Sequence, residues 1–438
     1  MFRALITKLL KKNSLGRKVL GISSFRALGL VLNFLLSVLF VRLLTRSEFG
    51  KYSYILELVT IAATIASLAL PTVATRDIAA APKDKKKERL ITIIPWISHA
   101  TFFSAILTSL LAYFLGRLFI HDPAMLALFI TALPIIILNA LTGIGNAIFL
   151  GLKKIELSMI SKTIIQPAFM IMCGIIGYKL LHLSFNAQSV LTLRIVSYLL
   201  ILIFIVVFFL RITPFDLKIL FRKTVRPISF KKHVPFLYLL LISIINQKLS
   251  LIVLGAYQPF SDVAIFKVAL TLSSLISFFL LSAQTVMTPH IAEYYGKKNK
   301  RMINKIAIKT IRPIFFISLI LFAVYAIFGR TLLVKIYKPF YAAAYLPLLI
   351  LSVGHVFNVL TGALGTVLTN TGNQKFAFAG ALSGCITKII LLFILVPRIG
   401  VIGAAIAFAS GIIISNAVSF FLLHSYTDYS TSIFGSDE

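Results

Sequence analysis

The chain is a succession of apolar segments separated by short polar connections. A helix needs about 20 apolar residues to cross the roughly 30 Å hydrocarbon core of a bilayer, and runs of this length recur along the whole sequence. The pattern predicts twelve transmembrane helices, near residues 17–44, 51–75, 90–115, 124–150, 156–181, 188–211, 233–256, 263–290, 304–328, 341–369, 376–397 and 400–424. A transmembrane β-barrel would instead show short alternating strands, which this sequence lacks. We therefore predict an all-α integral membrane protein.

A short phrase repeats inside this pattern. Asn139-Ala-Leu-Thr-Gly143 lies in the fourth segment, and Asn358-Val-Leu-Thr-Gly362 lies in the tenth. A weaker echo relates Glu48-Phe-Gly-Lys-Tyr52, after the first segment, to Asp262-Val-Ala-Ile-Phe266, after the seventh. Such positions correspond in two halves of six segments, an organisation found in many transporters. We therefore predict two pseudo-symmetric six-helix halves.

The predicted domains follow from this division. They are a basic cytoplasmic lead-in at 1–16, an N-terminal half at 17–211, a basic cytoplasmic linker at 212–232, a C-terminal half at 233–424 and a cytoplasmic tail at 425–438. The lead-in alternates apolar and basic residues, which is typical of a helix lying on the inner leaflet, although a frayed tail would show the same composition.

Composition and charge support a membrane protein. Hydrophobic residues make up 59% of the chain, charged residues 13%, and the mean hydropathy is +0.98, unlike a soluble domain. The net charge of +31 raises the possibility of nucleic-acid binding. However, most Lys and Arg residues fall in alternate connections, chiefly 1–18, 76–89, 211–232 and 297–312. This positive-inside distribution predicts that both termini face the cytoplasm in the cell (inner) membrane, where anionic lipids explain the charge without nucleic acid.

The sequence gives little reason to expect an enzyme or a metal site. Cys173 and Cys385 both lie inside predicted spans and suggest neither a disulfide framework nor metal ligands. No phosphate-binding loop, zinc pattern or nucleophile elbow is present. The longest predicted outside connection, residues 329–341, is short and has no acid. A membrane glycan polymerase, which generally needs a larger catalytic loop, is therefore the least favoured function, and we expect no cofactor.

Polar side chains form stripes at helical spacing in several predicted spans. They are Arg26, Asn33 and Ser37 in the first span, Asn139, Thr142, Gly143 and Asn146 in the fourth, and Ser352, His355, Asn358, Gly362 and Thr366 in the tenth. In hydrocarbon, such stripes either hold helices together or line a wet cavity. The sequence leaves both interpretations open.

Basic side chains outnumber acids inside the predicted spans. The basic ones are Arg26, Lys162, Arg194, Lys248, Lys267 and Lys388, whereas the acids are Glu57 and, near an end, Asp77. An excess of buried cations attracts an anion. We therefore predict a cationic, partly wet cavity between the halves, with Glu57 acting either in ion coupling or as an ion-pair partner of Arg26. The candidate substrate-binding residues are Arg26, Asn33, Asn139, Asn146, Lys162, Gln166, Asn246, Lys248, His355, Asn358 and Lys388.

Three stretches resemble the polysaccharide (O-antigen type) flippases of the multidrug/oligosaccharidyl-lipid/polysaccharide (MOP) exporter superfamily. The first hairpin is similar to that of the family in two places. Its turn, Glu48–Tyr52, has the order acid, aromatic, Gly, any residue, Tyr, and the span that follows ends at Leu68–Asp77 with small residues, a proline and an arginine. The turn Asn370–Lys375 resembles the family's short Gly–Lys turn. Pro397–Ala407 is similar to its Pro-x-x-Gly-x-x-Gly-Ala-Ala-x-Ala entry to the last helix.

The resemblance implies a MATE/MOP-flippase-like fold and alternating access. It implies translocation of a polyprenyl-diphosphate-linked oligosaccharide to the outer leaflet, with Arg and Lys meeting phosphate and polar side chains meeting sugar hydroxyls. A peptidoglycan-precursor flippase and a multidrug cation antiporter are the alternatives, the latter disfavoured by the shortage of buried acids.

The resemblance also bears on coupling and on partners. Coupling to H+ or Na+ is common in the superfamily, yet Asn246–Ser250 has no acid where relatives often carry one. A cation site therefore does not carry over to this span. Expected partners are the lipid-linked glycan, membrane lipids and other polysaccharide assembly proteins, and a self-contained twelve-helix bundle favours a monomer.

Overall fold

The computed structural model describes residues 14–79, 86–182, 184–213, 234–427, 429 and 431, and these residues form helices and short connections without a strand. The α-helices are α1 Ser14–Leu43, α2 Arg46–Ala66, α3 Leu70–Ala79, α4 Lys86–Phe119, α5 Pro123–Ala132, α6 Pro134–Gly151, α7 Ile155–Met159, α8 Gln166–Lys179, α9 Ala187–Ile212, α10 Val234–Tyr257, α11 Phe260–Gly296, α12 Lys300–Ile336, α13 Tyr345–Leu360, α14 Leu364–Asn370 and α15 Gln374–Tyr426. A π-helical turn, Ile160–Ile165, joins α7 to α8, and a 3₁₀ turn, Pro339–Ala344, precedes α13. Most of the predicted lead-in, linker and tail lies outside the described residues.

The described helices confirm the predicted all-α membrane fold. Among the described residues, nine stretches are long and apolar enough to cross a membrane, or ten when the bent pair α2 and α3 counts as one span. The described apolar part of α10, Ile244–Tyr257, is shorter. The single element α15 contains two predicted spans, 376–397 and 400–424. This arrangement is consistent with the twelve predicted segments.

The break inside α15 occurs at a glycine. Ile399 and Gly400 leave helical geometry, and Gly400 adopts φ 51° and ψ −124°, a conformation that glycine reaches without a Cβ clash. Pro397 lies two residues before the break, within regular helix. At Gly403 a Cβ would come 2.6 Å from the carbonyl carbon of Leu395. Gly400 therefore permits the break, and Gly403 permits close packing of the chain after it.

The chain divides into two compact units, Met1–Ile244 and Ile245–Glu438. In the first unit, α6 packs against α2, α3, α4 and α9. In the second unit, α13 packs against α11, α12 and α15. The two helices that carry the repeated phrase thus have the same role, because each is the helix around which its unit packs.

The two copies of the phrase differ in backbone conformation. Asn139–Gly143 lies within the continuous helix α6, whereas Asn358–Gly362 ends α13, with Gly362 at φ 83°. The hydroxyl of Thr431 donates a hydrogen bond of 2.9 Å to the carbonyl of Thr361, and a Cβ on Gly362 would meet the Thr431 carbonyl. The second copy therefore ends its helix where a residue near the chain end packs against it.

The weaker echo also occupies equivalent positions. Glu48 and Asp262 lie in the first turns of α2 and α11, and Tyr52 and Phe266 are buried one turn later. The carboxylate of Glu48 also accepts a hydrogen bond of 2.8 Å from the N–H of Ala187, the first residue of α9. This acid therefore satisfies one of the free N–H groups at a helix start.

Candidate functional site

The second predicted span is broken in the structure. Helices α2 and α3 are bent by 47°, and Leu68 and Ala69 between them have φ values of 50° and 56°. Left-handed conformations are costly for residues with a side chain. Non-helical backbone at membrane depth is tolerated where it is buried in protein or lines a cavity. The span predicted near 51–75 is therefore broken after Ala66, and the break indicates a cavity.

A second irregularity faces the same region. The π-helical turn Ile160–Ile165 precedes Pro167, which lacks an N–H and cannot hydrogen-bond to the turn before it. Ser161, in this turn, is fully buried and donates a hydrogen bond to the side-chain oxygen of Asn146 on α6. Single π-helical turns are frequent at functional sites.

These two irregular segments border a cavity of about 540 Å³ within the first unit. Its polar lining consists of Thr64, Ser67, Thr72, Thr75, Asn139, Thr142, Asn146, Ser158, Ser161, Gln166 and Tyr198. None of the described residues that line it is charged. The cavity therefore offers hydroxyl and amide groups, which both donate and accept hydrogen bonds.

The polar stripe of the fourth span faces this cavity. Asn139, Thr142 and Asn146 contribute to the lining along about two turns of α6, and Gln166 contributes from the start of α8. Gln166 also donates a hydrogen bond of 3.3 Å to the hydroxyl of Ser197. The stripe thus lines a cavity and, through Asn146, joins two elements, so the two interpretations left open by the sequence both apply.

A cation lies directly behind the cavity wall. The guanidinium carbon of Arg194, on α9, is 5.7 Å from the centre of the Tyr52 ring. Arg194 also interacts electrostatically with Tyr198, which lines the cavity. Its positive charge therefore acts at the edge of an otherwise uncharged lining.

The opposite face of α6 borders an apolar pocket of about 370 Å³. From this helix the pocket is lined by Leu141, Ile144, Gly145, Ile148 and Phe149. One helix therefore separates a polar cavity from an apolar pocket, because its polar and apolar residues alternate at helical spacing.

In the second unit, three candidate residues come together. Lys388 of α15 is 2% exposed, and its ammonium donates a hydrogen bond of 2.5 Å to the main-chain carbonyl of Asn246 on α10. The ammonium also lies 3.9 Å from the centre of the Phe408 ring. His355 of α13 lies 6.1 Å from the same ring, centre to centre. Its Nδ1 is 2.7 Å from the hydroxyl of Ser277.

The other candidates are distributed along both units. Arg26 is half-buried on α1, and Asn33 on the same helix is exposed and donates a hydrogen bond of 2.7 Å to the carbonyl of Gly29. Lys248 on α10 and Asn358 on α13 are half-buried, whereas Glu57 on α2 is 4% exposed. Lys162 belongs to the π-helical turn, and its side chain lies outside the described residues. The cationic cavity between the halves stays a prediction.

Sequence reasoning missed several residues of both sites. Ser161 and Thr75 line the cavity from positions that show no stripe in the sequence, and Ser277 and Phe408 complete the surroundings of His355 and Lys388. The sequence does contain one signal for the distorted turn, which is Pro167. A proline disturbs the helical turn before it, and that turn follows the polar residues Ser158 and Lys162.

Comparison with known proteins then decides the family. A family described as polysaccharide biosynthesis protein matches residues 15–295. The chain belongs to this family. The MatE family matches residues 236–394, within the second unit and the end of the first. No curated protein matches it in sequence.

Solved structures agree on the fold of this family member. The lipid II flippase MurJ in an inward closed conformation matches with a TM-score of 0.74 and 16% identity, over 92% of this chain and 87% of that chain. An inward-facing multidrug resistance MATE transporter of the MOP superfamily matches with a TM-score of 0.71 and 16% identity, over 90% of this chain and 94% of that chain. A MOP superfamily transporter from Pyrococcus furiosus Vc1 matches with a TM-score of 0.67 and 16% identity, over 95% of this chain and 97% of that chain. The resemblance and the MATE/MOP-like fold predicted from the sequence are thereby confirmed for a multi-pass membrane protein.

Proposed function

We propose that this protein is a flippase that moves a polyprenyl-diphosphate-linked oligosaccharide from the inner to the outer leaflet by alternating access, for surface polysaccharide biosynthesis. The observation that carries the proposal is the uncharged, hydroxyl- and amide-lined cavity in a member of the polysaccharide biosynthesis family. In this proposal both termini face the cytoplasm of the cell membrane. The protein acts as a monomer, in contact with membrane lipids and other polysaccharide assembly proteins.

The cavity lining supports a sugar rather than a cationic drug. Side chains such as Asn139 and Thr142 can donate to and accept from sugar hydroxyls. A site for a cationic drug would need a carboxylate to balance the buried charge, and no described residue of the lining supplies one. This favours the glycan over the multidrug antiporter alternative.

The surroundings of the cavity suit an amphipathic cargo. The apolar pocket on the other face of α6 offers hydrocarbon-like surface near the polar cavity, and Arg194 places a guanidinium behind its wall. A guanidinium stabilises phosphate more effectively than a neutral donor. In this proposal the sugar meets the polar cavity, the diphosphate meets Arg194 and the prenyl chain meets the apolar pocket, and all three lie close to α6.

A peptidoglycan-precursor flippase is the second candidate. The similarity to the lipid II flippase MurJ favours it, since the shared fold covers 92% of this chain. The two functions predict that different lipid-linked precursors accumulate when the protein is absent. Loss of surface polysaccharide with normal cell-wall synthesis would select the oligosaccharide flippase.

The deciding experiment follows the lipid-linked oligosaccharide in cells that lack the protein. Complementation would compare the wild type with a double variant, Asn139→Leu with Thr142→Val, that removes polar groups from the cavity. Thr131→Val is the matched control, because Thr131 also donates its hydroxyl to its own helix but does not line the cavity.

We expect intact precursor to accumulate in the deletion strain and in the double variant, and surface glycan to return with the wild type and with Thr131→Val. Rescue by the double variant at normal protein levels would contradict the role of the cavity. Normal precursor and glycan levels in the deletion strain, with no redundant transporter present, would contradict the proposed function itself.

A further inference from the structure

Lys388 is a buried cation in a half that holds few acids. Between residues 245 and 427 the only carboxylates in the sequence are Asp262 and Glu293. Asp262 lies in the first turn of α11, and Glu293 pairs with Lys297 at the other end of that helix. The ammonium is instead held by a main-chain carbonyl and an aromatic ring. Neither partner carries a charge that would fix the protonation state of Lys388.

Each element packed around Lys388 contributes a defined group. Helix α13 contributes the titratable His355, α11 contributes Ser277 behind that histidine, α10 contributes the Asn246 carbonyl, and the second segment of α15 contributes Phe408. Cys385 lies one turn before Lys388 on its own helix and interacts with it electrostatically. Helix α14, Leu364–Asn370, carries no titratable residue. The described surroundings therefore contain two basic groups, a thiol and no acid.

His355 has a free position for a proton. The residue is 8% exposed, and its Nε2 is buried and makes no hydrogen bond with any described residue. Its Nδ1 contacts the hydroxyl of Ser277, which can donate or accept and so can serve either tautomer. An imidazole in this setting can gain or lose a proton without breaking that contact.

We propose that Lys388 and His355 form a proton-binding site whose protonation couples a pH gradient to the transport cycle. This inference rests on the proposed flippase function and specifies its coupling ion. When the Nζ–H bond breaks, the proton passes to water and a neutral amine remains. The amine interacts more weakly with the Asn246 carbonyl and the Phe408 ring, because both contacts are strengthened by the positive charge. Release of the proton therefore loosens α15 from α10.

The same chemistry argues against sodium at this site. Na+ is a hard cation that needs several oxygen ligands, and groups of three or more carboxylate, imidazole or thiol side chains are absent from the described residues. The Asn246 carbonyl already accepts a hydrogen bond from the Lys388 ammonium, whose positive charge would repel Na+. A proton is the cation that this set of groups can bind and release.

The first test measures proton binding without any cargo. Hydrogen exchange of the full-length protein would be followed at about pH 6 and about pH 9, on either side of neutral, after correction for intrinsic exchange rates. For the wild type we expect peptides around residues 355 and 388 to open about tenfold more readily at the higher pH, the size of a typical coupling between two ligands. Lys388→Met, which keeps an unbranched apolar stem, should abolish this dependence.

Lys375→Met is the matched control for that experiment. Lys375 lies on the same helix and also approaches an aromatic ring, with its ammonium 5.0 Å from the centre of Phe376, but it is exposed. We expect its variant to keep the wild-type dependence on pH. A pH dependence that persists in Lys388→Met would overturn the proposal.

The second test links the proton to transport. Proteoliposomes would contain the lipid-linked oligosaccharide that accumulates in cells lacking the protein, and flipping would be measured under an imposed pH or Na+ gradient. We expect a pH gradient to accelerate flipping by the wild type. In Lys388→Met, Lys388→Arg and His355→Gln, this acceleration should be about tenfold smaller, although the variants still bind the precursor. Arginine keeps the charge but does not release its proton, so its failure separates proton release from a merely positive side chain.

The two proposals fail in different ways. Acceleration of the wild type by a Na+ gradient, or unchanged acceleration in Lys388→Met, would contradict the proton site and leave the flippase function intact. A wild type that neither binds nor flips the precursor would contradict the flippase function. In that case the cargo-free exchange experiment alone decides whether the proton site exists.

Discussion

The ammonium of Lys388 lies 3.9 Å from the centre of the Phe408 ring, although both residues belong to the same element, α15. The break at Ile399 and Gly400 makes this contact possible, because a straight helix would carry the two side chains far apart along its axis. Gly411 allows the same close approach, since a Cβ there would lie 3.0 Å from the Cβ of Lys388.

The contact between Lys388 and Phe408 should contribute measurably to stability. A double-mutant cycle with Lys388→Met and Phe408→Leu should give a coupling of about 2 kcal/mol, as expected for a desolvated cation–π pair. The exposed pair Lys375 and Phe376 should give less than about 1 kcal/mol in the same cycle. Unfolding in detergent measures both couplings, and equal values for the two pairs would contradict the importance of burial.

Close packing at Gly384 should make this position intolerant of a side chain. A Cβ there would come 2.6 Å from the Cβ of Ser415 and would also meet the carbonyl of Gly411. We expect Gly384→Ala to lower the free energy of unfolding by about 1–3 kcal/mol, the usual cost of overpacking. Gly365→Ala is the control, because nothing lies within 4 Å of its added Cβ. Similar melting temperatures for the two variants would argue against the tight contact.

Glu48 should stabilise the start of α9 through its charge. Its carboxylate accepts the hydrogen bond from Ala187 and pairs with Lys51 at 3.2 Å. Glu48→Gln should lower the free energy of unfolding by about 1 kcal/mol, because a negative charge at a helix N-terminus interacts favourably with the helix dipole. Glu293→Gln removes an acid from an exposed pair and should leave the melting temperature unchanged. An equal loss in both variants would mean that Glu48 acts only as a surface charge.

The hydrogen bond from Ser161 to Asn146 should fix the π-helical turn against α6. Ser161→Ala would leave the buried amide oxygen of Asn146 without this donor, and we expect a loss of about 1–2 kcal/mol. Ser274→Ala serves as the comparison, since Ser274 is exposed and donates only to the carbonyl of Thr271 in its own helix. The melting temperature in detergent reports both effects, and an unchanged value for Ser161→Ala would show that the turn is held by other contacts.

The sequence alone determined that the protein is an all-α membrane protein, and it predicted the approximate positions of most helices and the family. Apolar length suffices for this because a bilayer offers no hydrogen bonds to the backbone, so each spanning segment must satisfy its own groups as a helix. The repeated phrase correctly pointed to α6 and α13, which are central in their units. The polar stripe from Asn139 to Asn146 was visible from its spacing, since residues three and four apart share a helix face.

Only the tertiary structure decided where the helices break and which polar groups meet. Leu68 and Ala69 are ordinary apolar residues in the sequence, yet they carry the break that borders the cavity. Lys388 was recognisable as a cation in a span, but its partner is a main-chain carbonyl 142 positions away. Hydropathy and spacing are properties of one segment, whereas a cavity or a buried hydrogen bond depends on which segments pack together. That choice is made by the complementary shapes of side chains on different helices.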